Sequence, residues 1–314
     1  MKLLFFDDFR LGVLRGSDVV DVTDAVRDVR HTDPHDLIAG LIARFGDYRG
    51  RLEEATGRGQ GVPVDRVRVR PPLPRPGTIV CMAVNYMEDG TRAEPAPLNA
   101  FLKSPGCVIG DGDTMVLPDA PASIFEGEAE VAVVIGARAS HVSAEDAMRH
   151  VFGYVNFVDG SARGLQPAGG NTFYQMKSRD TFAPMGPWLV TADEIADPHA
   201  LRVRLWVNGA LKQDFGTSDM AHRIPRVIEW VSAIHALEPG DVVATGTNHR
   251  GLSALQDGDL VELETEGLGR LHVRVRDDLR RTWARETRLE RQARGLDGTT
   301  PQLTGKYAPS RGPA

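Results

Sequence analysis

Three glutamates stand at every second position directly before an apolar run: Glu126, Glu128 and Glu130. Because side chains two residues apart in a β-strand share a face, this spacing predicts three carboxylates on one side of a strand. A carboxylate beside a core must be paired or must bind a metal ion, and oxygen ligands alone favour hard cations such as Mg²⁺, Mn²⁺ or Ca²⁺. The alternative is a strand whose acidic face is solvated, which is common in antiparallel sheets.

A fourth acid, Asp159, ends a second apolar segment that spans residues 151–158. Its surroundings are similar to those of the glutamates, and this similarity favours a metal centre over a solvated face. An acid at the end of a strand is also a common turn residue, so both interpretations stay open at this point.

The prolines divide the chain into two parts. Four of them fall within residues 71–76, and such a cluster is typical of a domain boundary. At roughly 100–200 residues per domain, a chain of 314 residues predicts two unequal units. We therefore expect a small N-terminal domain over 1–74, a large domain over 75–279 and an Arg-rich C-terminal extension over 280–314.

Capping and turn signals place the elements around the acids. Asp33 predicts the start of a helix at the proline that follows it, and the Asn-Gly pair at 208–209 predicts a hairpin turn. Ser143 opens a pattern like a capping box, which predicts a helix to about residue 152. The tail over 280–294 can form an Arg/Glu helix. Between these signals, short apolar segments predict a large domain dominated by sheets.

Composition limits the class of protein. The chain has 37 Lys and Arg against 43 Asp and Glu, a net charge of −6, so no overall basic field attracts nucleic acid. No stretch approaches the roughly 18 apolar residues of a transmembrane helix, and we expect no membrane partner. Cys81 and Cys107 stand outside any CxxC motif, which is typical of reduced thiols in a cytoplasmic protein.

The cations are distributed unevenly between residue types and along the chain. Five of them are lysines: Lys2, Lys103, Lys177, Lys212 and Lys306. Residues 270–294 hold nine arginines against four acidic residues. A short Arg-rich segment of this kind is typical of a solvated helix or of a subunit contact.

Further motifs follow the acidic strand in order. They are Phe152-Gly153-Tyr154, Asp159-x-Ser161-Ala162-Arg163-x-x-Gln166, Lys177-Ser178, Pro184-Met185-Gly186-Pro187-Trp188, Asn208-Gly209, Thr217-Ser218-Asp219-Met220 and Thr245-Gly246-Thr247. Each motif alone is weak, but their succession over residues 78–275 resembles the fumarylacetoacetate hydrolase family. Residues 1–74 resemble the small N-terminal domain that many members carry.

The resemblance implies a fold and a metal. The fold class is α+β and β-rich: a mixed β-sandwich roll of the fumarylacetoacetase C-terminal-domain type with a small N-terminal α/β domain, usually as a homodimer. The implied cofactor is Mg²⁺ or Mn²⁺, with Ca²⁺ as a further candidate, and the implied ligands are Glu128, Glu130 and Asp159. Glu126 is an extra acid that allows a 126/128 ligand pair, but the fixed spacing to residues 133–136 favours 128/130.

The resemblance also implies the substrates and the side chains that bind them. Family substrates are small 2-oxo acids or 1,3-dicarbonyl acids, and the metal acts as a Lewis acid that stabilises an enolate. Lys177 is expected to hold a carboxylate or that enolate, and an arginine could not tune its pKa in the same way. The other candidates are Gln166, Arg163 and Asp89 as catalytic or orienting groups, and Thr247, Tyr86, Lys103 and His249 as substrate-binding groups.

One motif departs from the family's pattern. Many hydrolytic members carry Asn-Tyr-x-x-His-x-x-Glu, whose His–Glu dyad activates water as a general base. In this chain Asp89 and Arg92 stand at the His and Glu positions. That route to an activated water is missing, and the candidates to replace the dyad are Glu88, Asp89, Glu94 and His249.

These residues leave several functions open. The first is a metal-dependent hydrolase that cleaves a C–C bond of an acylpyruvate or diketo acid. The alternative, favoured if nothing replaces the dyad, is a tautomerase, isomerase or decarboxylase of a 2-oxo or 2-hydroxydienoate dicarboxylic acid, because its proton transfer needs no water nucleophile. A non-catalytic metabolite-binding protein is disfavoured because the metal ligands, Lys177 and Gln166 are all retained.

Overall fold

Two β-sheets dominate the molecule. The computed structural model describes residues 1–167, 172–296 and 298–309. In these ranges the strands are β1 Lys2–Phe6, β2 Arg10–Arg15, β3 Asp18–Asp21, β4 Gly61–Pro63, β5 Val69–Arg70, β6 Ile79–Met82, β7 Ala100–Lys103, β8 Val108–Ile109, β9 Thr114–Val116, β10 Ile124–Ile135, β11 Val151–Arg163, β12 Ala183–Thr191, β13 Arg202–Val207, β14 Ala210–Gly216, β15 Val242–Ala244, β16 Leu260–Thr265, β17 Gly269–Arg276, β18 Thr282–Trp283 and β19 Gln302–Thr304. The α-helices in the same ranges are α1 Pro34–Ala43, α2 Phe45–Arg58, α3 Phe173–Lys177, α4 Ile224–Ile234 and α5 Arg288–Ala293.

The larger sheet runs through both parts of the chain. Its strand order is β4-β3-β2-β1-β12-β11-β10-β15-β6-β7, and β1 pairs with β12 in antiparallel register, with Leu3 opposite Leu189. Apolar residues of α1 and α2 share one buried core with these strands, including Leu41 and Leu52. The N-terminal strands therefore extend the sheet of the large domain, while the boundary at residue 74 stays a prediction.

The second sheet packs against the first. Its strand order is β14-β13-β16-β17-β9, and Val131 on β10 and Leu263 on β16 belong to the same buried cluster. Both sheets are mixed, since β15 pairs with β6 in parallel and β17 pairs with β9 in parallel. This arrangement confirms the predicted β-rich α+β fold.

The central pair of the larger sheet is β10 and β11. All twelve residues of β10 are buried, because its two faces lie in different cores, with Val133 in one and Val134 in the other. The antiparallel register places Glu128 opposite Asp159. A strand buried on both faces has no water to solvate its acids, so these carboxylates need partners inside the protein.

Of three local signals in the sequence, a helix cap and a hairpin turn agree with the structure and a second helix start does not. Asp33 caps α1 through its side chain, which accepts the Asp36 N–H at 2.9 Å, and residues 208–209 form the turn between β13 and β14. Both predictions are confirmed. The helix predicted from Ser143 to about residue 152 is wrong, because the chain forms a 3₁₀ turn at Ala147–His150 and then enters β11.

The C-terminal extension is helical over a short stretch. The helix expected over 280–294 is limited to α5, and β18 pairs with β19. Trp283 is buried, and its Nε1 donates to the Ser123 carbonyl at 2.8 Å. Residues 297 and 310–314 of the C-terminal extension lie outside the described residues. None of the helices in the described part of the chain has the length and apolar character that a membrane span requires.

Candidate active site

The acids of β10 and β11 form a buried triad. Carboxylate oxygens of Glu128, Glu130 and Asp159 lie within 4.8 Å of one another, and the three residues are 5%, 1% and 1% exposed. The solvated-face interpretation of this strand is therefore wrong. Three converging carboxylates repel one another unless positive charge lies among them. An all-oxygen set of this kind suits a hard divalent cation.

Two lysines bring positive charge to the triad. Lys177 Nζ donates to Glu128 Oε1 at 2.8 Å and to Asp159 Oδ2 at 2.5 Å. Lys103 Nζ is fully buried and donates to Asp159 Oδ1 at 2.5 Å. Burial by itself would lower the pKa of Lys177, but the carboxylates of Asp159 and Glu128 outweigh it and raise that pKa. Lys177 is therefore an ammonium at the centre of the site.

Glu130 has one carboxylate oxygen without a hydrogen-bond partner among the described residues. Its Oε2 accepts the Gly246 N–H at 2.8 Å, but its Oε1 is buried without a hydrogen-bond partner among the residues that the structure describes. Burial, with the nearby charges of Asp159 and Glu128, raises the pKa of Glu130 well above its usual range. A buried polar atom of this kind calls for a partner. The three acids therefore fit the divalent metal that the sequence implies.

Glu126 is held by arginines. Arg288 Nε and Nη2 donate to its two oxygens at 3.0 and 2.5 Å, and Arg163 contacts both Glu126 and Glu128. Burial would raise the pKa of Glu128, but Lys177 and Arg163 outweigh it and lower that pKa. Both oxygens of Glu126 are thus engaged, which favours 128/130 over 126/128 as the ligand pair.

A cleft of about 80 Å³ opens onto the triad. It is lined by Met82, Ala83, Val84, Phe101, Glu128, Arg163, Phe173, Lys177, Thr247 and His249. Phe101 stacks on Phe173 with 4.7 Å between the ring centroids, and Lys177 Nζ lies 5.3 Å from the Phe101 centroid. The cleft therefore combines an apolar wall with groups that can bind an anion.

A glutamate–histidine pair lies at this cleft. His249 Nδ1 lies 2.7 Å from Glu88 Oε1, and the His249 backbone N–H donates to Glu88 Oε2 at 2.9 Å. Glu88 is 6% exposed. The chain thus brings together a histidine and a glutamate from two of the positions considered as replacements for the missing dyad. The glutamate comes from the segment after β6 and the histidine from the loop after β15.

The backbone that carries Glu88 is strained. Val84 and Glu88 have φ angles of +57° and +56°, in the left-handed region that is rare for β-branched residues. Asn85 holds this segment against the core, since its side-chain Nδ2 donates to the Thr245 carbonyl at 2.9 Å and its Oδ1 accepts the His222 N–H at 3.0 Å. Strain of this kind persists where surrounding contacts fix the conformation.

Of three other predicted site residues, one lines the cleft and two do not. Thr247 lines it, and its Oγ1 accepts a hydrogen bond from Gln213 Nε2 at 2.9 Å. Tyr86 is fully buried in the hydrophobic core, where burial raises its pKa. The Asp89 side chain is half exposed and lies 3.1 Å from Arg250 Nη1. Tyr86 and Asp89 are therefore not among the residues that line the cleft.

Gln166 lines a different cavity. It is exposed, and it borders a space of about 460 Å³ together with residues 299–302 of the extension. The chain then continues into residues 168–171, which lie outside the described residues. The catalytic role expected for Gln166 stays a prediction.

Gln213, Phe101 and Arg288 contribute to the site although they are not among the predicted site residues. Gln213 Oε1 accepts the Ala129 N–H at 3.0 Å, so this side chain links β10 to Thr247. Phe101 stands two residues before Lys103 on β7. Because residues two apart on a strand share a face, this spacing is a signal that could have placed Phe101 beside the site. Arg288 belongs to the extension, whose composition indicates a solvated helix or a subunit contact.

The fold and the site define a class of enzyme in which two packed β-sheets surround a buried carboxylate centre suited to a divalent metal. Comparison with known families agrees. The family model for the fumarylacetoacetate (FAA) hydrolase C-terminal domain matches residues 78–276. The chain belongs to the fumarylacetoacetate hydrolase family.

Curated relatives are named for several reactions. Oxaloacetate tautomerase YisK of Bacillus subtilis is 38% identical over 224 residues, covering 68% of this chain and 74% of its own length. Mitochondrial oxaloacetate tautomerase Fahd2a of Rattus norvegicus is 36% identical over 218 residues, covering 66% and 69%. The 4-hydroxyphenylacetate degradation bifunctional isomerase/decarboxylase of Escherichia coli is 39% identical over 209 residues, covering 65% and 48%.

Solved structures extend the likeness to the N-terminal part. Maleylpyruvate hydrolase from Sphingobium sp. SYK-6, in complex with manganese(II) and pyruvate, superposes with a TM-score of 0.79 at 34% identity, covering 88% of this chain and 99% of that one. A 2-hydroxyhepta-2,4-diene-1,7-dioate isomerase from Mycobacterium marinum gives a TM-score of 0.68 at 30% identity, covering 88% and 99%. The chain is thus an enzyme of a family whose members include hydrolases, isomerases, tautomerases and decarboxylases.

Proposed function

We propose that this chain is a divalent-metal-dependent hydrolase that cleaves a C–C bond of a small acylpyruvate-type 2-oxo acid. The observation that carries the proposal is the Glu88–His249 pair at the cleft. Hydrolysis needs a base that activates water, and a histidine oriented by a carboxylate supplies one at neutral pH. The structural likeness to maleylpyruvate hydrolase supports the same class of reaction.

His249 is the group that takes the proton of the water. With Glu88 at Nδ1, the neutral imidazole has Nε2 as its proton acceptor. The water oxygen bonds to the acyl carbonyl carbon, its proton passes to His249, and the bond between that carbon and the pyruvyl methylene breaks. The electrons of that bond leave with the pyruvate fragment as an enolate, which takes up a proton. The products are pyruvate and a carboxylic acid.

The cations of the cleft hold the negative charge of the reactants. Lys177 and Arg163 line the cleft with His249, where an ammonium and a guanidinium can bind the substrate carboxylate and the oxyanion that develops. Glu128, Glu130 and Asp159 would hold the metal, which we propose to be Mg²⁺ or Mn²⁺. When bound, this ion supplies Lewis acidity toward the carbonyl oxygens.

Tautomerisation of oxaloacetate is the second candidate. Four curated relatives of 36–38% identity are named oxaloacetate tautomerases. That reaction moves a proton between carbon and oxygen and needs no water nucleophile, and His249 is also suited to it. The sequence favours this candidate only if nothing replaces the missing dyad, and the Glu88–His249 pair is such a replacement.

An incubation in deuterated water distinguishes the two candidates. The Mn²⁺-loaded protein is mixed with acetylpyruvate and, separately, with oxaloacetate, and the products are followed by NMR against samples without protein. We expect acetylpyruvate to give pyruvate and acetate. Protein-dependent deuterium exchange into oxaloacetate, with acetylpyruvate left intact, would overturn the hydrolase proposal in favour of the tautomerase.

Substitutions test the base directly. We expect His249→Asn and Glu88→Gln to lower kcat for C–C cleavage by about 10²–10⁴, with Mn²⁺ binding measured by calorimetry unchanged. His31→Asn, at an exposed position on the N-terminal part, is the matched control. Full activity of His249→Asn would exclude this histidine as the base.

Four further features of the protein are likewise proposals. We propose a homodimer of cytoplasmic location, with no nucleic-acid or membrane partner. Lys103 is expected from the resemblance to bind substrate, but it does not line the cleft, and we propose instead that it supports Asp159. The net charge of −6 agrees with the absence of a nucleic-acid partner. Light scattering tests the dimer, which has twice the 34.2 kDa mass of the chain.

A further inference from the structure

The first residue of α5 contacts the strand that carries two of the predicted metal ligands. Arg288 Nε and Nη2 donate to the two oxygens of Glu126 at 3.0 and 2.5 Å, the two-bond geometry in which a planar guanidinium matches a carboxylate. The Glu126 side chain is fully buried, whereas that of Arg288 is 27% exposed. The C-terminal extension therefore brings one cation to a buried acid that stands two residues before Glu128 on β10.

Arg163 connects Glu126 to the acidic triad. Its Nε donates to Glu126 Oε2 and its Nη2 donates to Glu128 Oε1. Because the two glutamates lie two residues apart, they share a face of β10, and one guanidinium contacts both. Arg163 also lines the cleft. Positive and negative charges thus alternate from Arg288 through Glu126 and Arg163 to Glu128.

Arg163 is one of three donors to a single oxygen of Glu128. Lys177 Nζ and Ser161 Oγ donate to the same Oε1, at 2.8 and 3.2 Å. These donors orient the carboxylate and leave Oε2 as the oxygen suited to a metal ion. A turn of Arg163 away from Glu128 would remove one of the groups that orient this side chain.

The charge of Arg288 determines how Arg163 is shared. Glu126 is a buried carboxylate, and such a group needs positive charge beside it. With Arg288 on both oxygens of Glu126, Arg163 can contact Glu128 at the same time. Without the charge of Arg288, Arg163 would be the remaining cation on Glu126 among the described residues. Its guanidinium would then turn to form two bonds with that one carboxylate.

Backbone contacts hold the start of α5 in place. The Arg288 N–H donates to the Leu252 carbonyl at 2.9 Å. Thr287 forms a β-bridge with Ser253, and a capping box fixes the first turn of the helix. Arg288 lies beyond residue 276, where the match to the family model ends. This cation is therefore supplied from outside the matched region.

We propose that Arg288 is a positioning residue of the active site. It holds Glu126, and through Glu126 it keeps the Arg163 guanidinium on Glu128 and at the wall of the cleft. The inference rests on one part of the proposed function, the binding of a substrate carboxylate by Arg163, and it applies to either candidate reaction. Arg288 acts through Glu126 and not by contact with the substrate.

Binding of pyruvate tests the inference without any turnover. Calorimetry gives the affinity of the Mn²⁺-loaded protein for pyruvate, which has the 2-oxo acid group of both candidate substrates. We expect Arg163→Met and Arg288→Met each to weaken this affinity by about fivefold or more, the effect of a weakened charge-assisted contact. Arg294→Met, an exposed position in the same extension, is the control and should bind pyruvate as the parent does.

Removal of the competing charge should restore binding. In Glu126→Gln/Arg288→Met the residue at position 126 is neutral, so Arg163 stays on Glu128, and we expect the affinity for pyruvate to return to within about twofold of the parent. A double variant that binds as weakly as Arg288→Met would overturn the inference, because Arg288 would then contact the ligand itself or only hold the extension. If Arg288→Met does not fold, Arg288→Lys takes its place, since it keeps the charge but cannot form both bonds.

The remaining outcomes separate this inference from the proposed function. Restored pyruvate binding in a protein that does not cleave acetylpyruvate would overturn the hydrolase and support the role of Arg288. Cleavage of acetylpyruvate with parental pyruvate binding in Arg288→Met would overturn the role of Arg288 alone. Absence of pyruvate binding in the parent, or parental binding in Arg163→Met, would overturn both this role and the carboxylate site assigned to Arg163.

Discussion

At the scale of single residues, Glu130 is a buried acid that has an oxygen available to bind a metal ion. One of its oxygens accepts the Gly246 N–H, while the other is buried with no hydrogen-bond partner among the described residues. Burial raises the pKa of this acid, and the neighbouring charges of Asp159 and Glu128 raise it further. In the absence of metal, the ionised carboxylate therefore opposes folding.

Glu130→Gln should separate stability from metal binding. The amide keeps a carbonyl oxygen for the Gly246 N–H but removes the buried negative charge. We expect the chelator-treated variant to gain about 1 kcal/mol in the free energy of unfolding and to bind Mn²⁺ at least tenfold more weakly. Denaturant titration and calorimetry measure the two quantities. Glu145→Gln, at an exposed position, is the control, and a variant that loses stability while binding Mn²⁺ normally would contradict the prediction.

The sequence predicts much of the site at this scale. The alternation of the glutamates and the position of Asp159 place four acids near one centre, and the structure buries all four. The pairing of Glu88 with His249 is a different case, because 161 residues separate them. Their contact depends on two loops, one of them in a left-handed backbone conformation, and strand or helix periodicity carries no information on such loops.

At the scale of elements, Gly153 sets the spacing between β11 and β12. A Cβ at this position would lie 2.1 Å from the Val190 carbonyl oxygen. We expect Gly153→Ala to lower the free energy of unfolding by more than about 2 kcal/mol, because a backbone atom cannot move aside cheaply. Gly46→Ala is the control on α2, where a Cβ meets nothing within 4 Å and should stabilise the helix by up to about 1 kcal/mol. Chemical denaturation gives both values, and equal stability of the two variants would refute the argument.

The start of α4 depends on a neutral histidine. His199 Nε2 accepts the Ile224 N–H at 3.1 Å, and burial and the charge of Arg223 lower the pKa of His199 from 6.5 although Asp197 opposes them. Because the unfolded chain then binds the proton more readily than the folded chain, stability is complete above about pH 6.5 and falls as the pH drops toward the lowered pKa.

The requirement for a neutral His199 can be tested by measuring the free energy of unfolding as a function of pH. We expect His199→Asn to flatten the fall in the free energy of unfolding between about pH 7 and pH 5. The flattening is partial because burial also lowers the pKa of His35. A slope in His199→Asn that equals the slope of the parent would remove the role assigned to this side chain.

The helix predicted after Ser143 does not form, because the pairing of β-strands determines the conformation of this segment. Residues after Ser143 have the composition of a helix, yet the chain must reach β11 at Val151. The Gly136 N–H donates to the His150 carbonyl at 2.7 Å. This bond holds residue 150 beside the end of β10, so a helix cannot continue past it. Tertiary hydrogen bonds therefore override the capping signal, whereas the cap at Asp33 lies where no strand competes for the same residues.

At the scale of the whole molecule, the N-terminal part and the large domain are joined by a continuous sheet. β1 pairs with β12, and the N-terminal amine donates to Thr191 Oγ1 at 2.6 Å. The proline cluster predicts two units, and the motif order predicts the fold of the second one. The sequence does not indicate this shared sheet. Only two residues of β1 pair with two residues of β12, and so short a pairing produces no recognisable hydrophobic pattern in either segment.

The shared sheet predicts cooperative unfolding. Because separation of residues 1–74 would expose the edge of β12, we expect one calorimetric transition with equal calorimetric and van't Hoff enthalpies. Two resolved transitions would show instead that the units unfold independently. Leu3→Ala, in the buried register with Leu189, should lower the midpoint of the whole transition.

The left-handed backbone at Val84 has a consequence for evolution in the laboratory. A β-branched residue in this conformation costs on the order of 1–3 kcal/mol, whereas glycine adopts it freely. A library selected for heat resistance alone will therefore enrich glycine at position 84. The same change loosens the segment that holds Glu88 against His249, so the heat-resistant clones should be the poorer catalysts.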